Sequence, residues 1–190
     1  MYRNMERLIL LGLAGLMALS APAEARIVRI VIEHRDSPAF KGQSFGETGR
    51  YERLTGRAYG ELDPKAPLNA IITDLQLAPR NARGLVEYSA TFVLVKPVDL
   101  AKGSGVLLYE VPNRGSSAVA RASNEPGALA DYLKRGHVLL TSGWQGDIAP
   151  RDGVETISVP VAKNPDGSSL TGPVLAQFSD MPPNKAADAG

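Results

Sequence analysis

The pattern of apolar and polar positions is clearest between Gly105 and Asp147, where its period changes twice. Val106–Val111 is a short, mostly apolar run closed by Pro112, which has no N–H for a continuing ladder. Leu129, Tyr132 and Leu133 then recur at i, i+3 and i+4 and give a helix one apolar face. Pro126 stands near its start, Lys134 and Arg135 fill its last turn, and Gly136 suits the left-handed position after its end. His137–Thr141 is a second apolar run, stopped by Ser142-Gly143. Two buried-looking strands joined by one helix predict a right-handed βαβ unit and a parallel sheet. Ligands of such sheets sit beyond the carboxyl ends of the strands. Here those ends are Asn113-Arg114-Gly115 and Gly143-Trp144-Gln145-Gly146-Asp147.

Both flanks of this unit read as β-rich. Arg26–Glu33 alternates as a strand with both faces partly covered, ended by Asp36-Ser37-Pro38. Phe40–Glu47 is a glycine-spaced loop, and Arg50–Leu62 mixes Tyr51, Leu54 and Tyr59 with charges before Asp63-Pro64. In Leu85–Val98 the residues Val86, Tyr88, Ala90, Phe92 and Leu94 alternate with more polar ones, which predicts a strand with one buried face. Asn69–Ala78, joined to it by the turn-rich Pro79–Gly84, is the expected hairpin partner. After Asp147, Val154–Val161 and Pro173–Phe178 flank the turn Asn164-Pro165-Asp166-Gly167 and predict a second hairpin.

The amino terminus carries a different pattern. Arg3 and Arg7 precede the apolar run Leu8–Leu19, and Ala23-Glu24-Ala25 fits small-x-small cleavage. Residues 1–25 therefore read as a signal peptide, with the mature chain starting at Arg26. The run is shorter than the roughly 20 residues a bilayer requires, which argues against a retained membrane anchor. No cysteine exists for lipid attachment, for disulfides, for a thiolate metal site or for a cysteine nucleophile. The chain is expected to be exported, to the periplasm or the medium. Residues 26–180 are long enough for one domain, and 181–190 read as an unstructured or truncated end. A formal charge of +1 gives no reason to invoke nucleic acid as a partner.

Of the common catalytic signatures G-x-x-x-x-G-K, G-x-G-x-x-G and H-E-x-x-H are missing, and G-x-S-x-G occurs once, as Gly42-Gln43-Ser44-Phe45-Gly46 in the glycine-spaced loop, upstream of the strand–helix–strand unit and not at a strand-to-helix turn of it. No cofactor and no metal is implied. Of the two histidines, His137 starts a strand at the edge away from the expected site, and His34 sits among charged neighbours at a strand end. The acid pairs Glu61/Asp63 and Asp147/Asp152 read as solvated loop acids. Asn113, Arg114 and Gly115 differ, because a loop leaving a parallel strand can turn its backbone N–H groups toward a developing negative charge. They are candidate oxyanion-loop donors; the alternative is a plain turn. Trp144, the single tryptophan, and Gln145 are candidate substrate-binding residues, with a sheet-covering role for Trp144 left open.

Four blocks, GRYERLTGRAYGELDP (Gly49–Pro64), LAPRNARGLVEYSATFVLVKPVD (Leu77–Asp99), LLYEVPNRG (Leu107–Gly115) and SGWQGD (Ser142–Asp147), together resemble the amino-terminal portion of a bacterial exported alpha/beta-hydrolase domain family. The resemblance covers nearly all of residues 26–190. It implies the α/β class: the amino-terminal part of an α/β-hydrolase-like mixed sheet, β-rich with at least one βαβ unit. It further implies an esterase-like serine hydrolase acting on carboxylic-ester or related acyl substrates, with Asn113-Arg114-Gly115 in the oxyanion-loop position. Members of the family run longer, and their serine elbow, acid and histidine lie downstream of anything matched here. The expectation is an amino-terminal fragment without its triad, inactive alone and poorly covered on its parallel strands. The alternative is a non-catalytic, β-rich periplasmic binding module. Neither reading fixes an oligomeric state.

Overall fold

The computed structural model describes residues 25–122 and 125–173. The expected signal segment, apart from Ala25, lies outside the described residues, as does everything from residue 174 onward. Among the described residues seven strands are formed: β1 (Ala25–Asp36), β2 (Ser44–Phe45), β3 (Gly49–Leu62), β4 (Val86–Pro97), β5 (Leu107–Glu110), β6 (Val138–Ser142) and β7 (Ile157–Ser158). They make one sheet of order β1-β3-β4-β6-β5, with β2 on β3 and β7 on β4. The α-helices are short, α1 (Ala118–Arg121) and α2 (Ala130–Lys134), the latter led in by a 3-10 turn at Gly127–Leu129.

This architecture corrects the expected α/β class. Among the described residues the ladders β1·β3, β3·β4, β4·β6 and β4·β7 are antiparallel, and only β5·β6 is parallel. Helices do not alternate with strands, so the sheet is not hydrolase-like. The β5–β6 segment read from its pattern is one corner of a β-rich sheet whose length lies in β1, β3 and β4. Nor are both of its strands buried: β5 is an edge, with Leu107 54% and Tyr109 46% exposed. β1 is the other edge, and its Ile27, Val28, Ile30 and Ile32 remain substantially exposed instead of partly covered.

The first expected hairpin is also corrected. β4 pairs along its whole length with β3, from Tyr51↔Pro97 to Leu62↔Val86. Residues 69–78 form 3-10 turns instead, Pro67–Ile71 and Leu75–Leu77. Their N–H groups are taken up locally, as in Ile72 to the Asn69 carbonyl (3.0 Å) and Leu77 to the Asp74 carbonyl (2.9 Å), so they cannot join a ladder. The charges that disguised β3 are absorbed across strands. Glu52 lies directly opposite Lys96 and binds it, while Arg35 of β1 reaches the same carboxylate with Nη2 at 2.6 Å. Of the second expected hairpin, Val154–Val161 forms a strand only at Ile157–Ser158, paired with β4, and Pro173–Phe178 lies, apart from Pro173, outside the described residues; the Asn164–Gly167 turn forms, with Gly167 N–H on the Asn164 carbonyl at 2.9 Å.

Residues directly opposite one another share a face. On one face Tyr51, Val93, Val95 and Leu139 meet Phe40, Phe45, Val119, Ala120, Leu129 and Leu133 in a single core. Phe45 stands edge-on to both Phe40 and Tyr51, at centroid distances of 5.6 and 5.7 Å. The Tyr51 hydroxyl donates to the Leu133 carbonyl (2.9 Å), fastening the end of α2 to the sheet. Arg53, two residues along β3, points to the same face, but there the helical cover ends and a cleft opens.

Candidate functional site

Two neighbouring constructions lie on this part of the sheet. The first is a clasp beyond the carboxyl ends of β5 and β6. Asn113 and Ser116 exchange both backbone hydrogen bonds at 3.0 Å, closing a two-residue turn. Arg114 and Gly115 at its tip have φ of 49° and 76°, the paired positive values of a type I′ turn. Arginine enters that region at a steric cost, and the clasp holds it there. Arg114 N–H donates to Gln145 Oε1 (2.9 Å), and its guanidinium donates to Asp147 Oδ2 (2.7 Å). Trp144 Nε1–H donates to the Pro112 carbonyl (2.8 Å). The hydrogen bond from Arg114 holds the Asp147 carboxyl below the usual carboxylate range.

The structure thus brings Asn113, Arg114 and Gly115 to the same end of the parallel pair as Trp144 and Gln145. It also defines what each is free to do. The Asn113 N–H is spent within the turn. The Arg114 N–H is held by a side-chain carbonyl, which can swing away. Gly115 has a packing role: its carbonyl accepts from Glu155 N–H (2.8 Å), and a Cβ there would overlap Val154 Cγ1 and approach Glu155 O to 2.6 Å. Trp144 is 55% exposed, so it does not serve as core.

The remaining sequence candidates separate. Glu61 is buried and pairs with Arg83 and, at 3.5 Å, with Arg26, whereas Asp63 caps the next turn through Lys65 N–H (2.8 Å). His34 sits in edge strand β1 opposite Thr55. His137 Nδ1 lies 2.8 Å from Ser104 Oγ, at the amino-terminal end of β6 and away from the clasp. Ser104 Oγ also accepts from Val106 N–H (3.2 Å), which fixes it in the loop entering β5. No carboxylate pairs with His137 among the described residues, so the two groups do not complete a triad.

The second construction is a cleft of about 710 Å³ between β3, β4, α1 and the turn at residues 151–155. Arg53, Thr55 and Gly56 form its floor with Thr91 and Phe92; Arg121, Arg151 and Asp152 stand at its rim. Arg53 donates through Nη2 to the Ala120 carbonyl (3.1 Å), while its buried Nε has no hydrogen-bond acceptor among the described residues. Burial lowers the pKa of its guanidinium, against the opposing influence of Glu155 and Asp36. Glu155 is only 6% exposed, and burial pushes its carboxyl up, offset in part by Thr91, Arg53 and Arg57. Sequence reading missed this pair because Arg53 looked like one charge among many and Glu155 lay in an apolar run. That lone acid inside VETISVPV was the available signal.

No protein family, curated protein or solved structure matches this chain. The likeness to exported hydrolases rests on the four sequence blocks alone.

Proposed function

We propose that this chain supplies the oxyanion-binding and substrate-facing edge of an exported, esterase-like serine hydrolase acting on carboxylic esters or related acyl compounds. The observation that carries the reading is the Arg114 N–H held on Gln145 Oε1 at 2.9 Å. A carbonyl oxygen already occupies the place where a substrate carbonyl would be polarised, and a side-chain amide can leave it without unfolding anything. One such donor contributes on the order of 10²–10³ in rate when it meets the charge that develops in the transition state. Ser44, the serine of the one G-x-S-x-G, lies in the two-residue strand β2, which runs antiparallel to β3 and leads into a 3-10 turn at Gly46–Thr48, so it does not form an elbow; no triad is assembled among the described residues, and the nucleophile, base and acid are expected downstream. The gene tests this directly. An open frame past codon 190, leading to a G-x-S-x-G elbow with later aspartate and histidine, is the expected result. Its product should cleave short-chain nitrophenyl esters and lose that activity to a serine-directed phosphonate. Phosphonate-sensitive turnover by residues 26–190 alone, or a frame closed after Gly190, would contradict the reading.

A second reading, a non-catalytic periplasmic binding module, is favoured by one observation: the cleft at Arg53 and Glu155 adjoins the clasp through the Glu155–Gly115 hydrogen bond but is lined by other residues with their own polar chemistry.

A further inference from the structure

We propose that the cleft between β3, β4, α1 and the 151–155 turn binds a small organic carboxylate, gripped by Arg53 with Arg121 and Arg151 at the rim. This does not rest on the hydrolase reading, since the clasp and the cleft use different residues.

A buried donor without a partner costs free energy, and structures rarely leave one unanswered. Arg53 Nε is such a donor, but it is sealed from solvent, so a ligand in the cleft that Arg53 lines would meet the guanidinium through its terminal nitrogens, one of which is already spent on Ala120. A guanidinium is matched best by the planar, two-oxygen face of a carboxylate. Arg53, Arg121 and Arg151 make no ion pair within 4.0 Å among the described residues, although Glu155 and Asp36 act on Arg53 from a greater distance. The acids around them oppose a ligand weakly. Glu33 is engaged by Arg57 of β3 at 3.7 Å, Asp152 is exposed on the turn, and Glu155 is biased by burial toward its neutral form. Val154 and Ala120 provide apolar surface for a hydrocarbon tail. A dianion such as phosphate fits less well, because Glu33 and Asp152 share the rim.

Binding of benzoate, benzamide and inorganic phosphate to the full exported protein, followed by calorimetry, tests the assignment. The expected result is one benzoate site with no comparable affinity for neutral benzamide or for phosphate. Arg53→Met should weaken benzoate by about tenfold or more, as loss of a hydrogen bond to a charged group implies. Arg151→Met, on an exposed turn and so without risk to folding, should weaken it several-fold, while Arg83→Met, outside the cleft, should not. Absence of benzoate binding at millimolar concentration would overturn the proposal. So would equal binding of benzamide, tighter binding of phosphate, or benzoate affinity unchanged in Arg151→Met. Benzoate binding by a protein that lacks esterase activity would sink the hydrolase reading and leave this site standing.

Discussion

Replacing Gly115 by alanine tests how tightly the clasp is built into the fold. The residue has φ of 76°, where an L side chain costs about 1–2 kcal/mol. The added methyl would also meet Val154 Cγ1 and Glu155 O, the latter at 2.6 Å and belonging to backbone that cannot simply rotate away. Forcing a methyl into such a contact costs about 1–3 kcal/mol more. The sum, roughly 2–5 kcal/mol, is a large share of the 5–15 kcal/mol that holds a typical domain together. Gly84 provides the control, with φ of 78° and open space where its methyl would stand. Gly84→Ala should show the backbone cost alone. Urea denaturation of the two variants beside the parent, with midpoints compared at constant slope, separates the terms. If Gly115→Ala loses no more than Gly84→Ala, the turn is not packed on residues 154–155 as described. The result also governs how activity is read. A drop in turnover on changing Gly115 reports damaged packing unless stability is shown to be intact.

Two acids give opposite pH signatures. Burial alone would raise the Glu52 carboxyl, but hydrogen bonds from Lys96 and Arg35 outweigh it and hold the pKa below its ordinary value. Its contribution is therefore present above the unfolded pKa of about 4.3 and is lost as pH falls through the lower folded value. Glu52→Gln should cost about 1–3 kcal/mol at pH 7, discounted for the exposure of Arg35, with melting curves converging on the parent at acid pH. Glu155 behaves in reverse, because its folded pKa is raised, chiefly by burial. The unfolded chain loses that proton first, so a destabilising term grows as pH rises from about 4.3 to the folded value and then stays constant. Glu155→Gln should thus be more stable than the parent at pH 7 and indistinguishable below about pH 4; equal or lower stability at pH 7 would show that Glu155 has a strong ionic partner in the fold.

Local features were legible in the sequence where a short-range rule governs them. Pro112 ended β5, the glycine after Arg135 ended the second helix, and the turn at Asn164–Gly167 formed where its residues required. The gathering of Asn113–Gly115 with Trp144 and Gln145 followed from two adjacent parallel strands ending together. The class of the sheet was not legible, because one βαβ segment says nothing about how many antiparallel strands surround it. β3 was hidden by Glu52, Arg53 and Glu61, and the two acids are neutralised by residues far away in the chain. Residues 69–78 misled because their apolar content suited a strand, while Ile71, 88% exposed, is not buried by one. The cleft needs Arg53 and Glu155 on one surface, and no local pattern encodes that meeting.

The hydrolase reading turns on whether the Arg114 N–H receives a reacting oxygen. The most direct measurement is a crystal structure of the full gene product after reaction with a serine-directed phosphonate. The phosphoryl oxygen is expected within hydrogen-bond distance of Arg114 N–H, with the Gln145 side chain displaced from it. A phosphonylated serine whose oxygen is held by other donors, with Gln145 Oε1 still on Arg114, would contradict the reading.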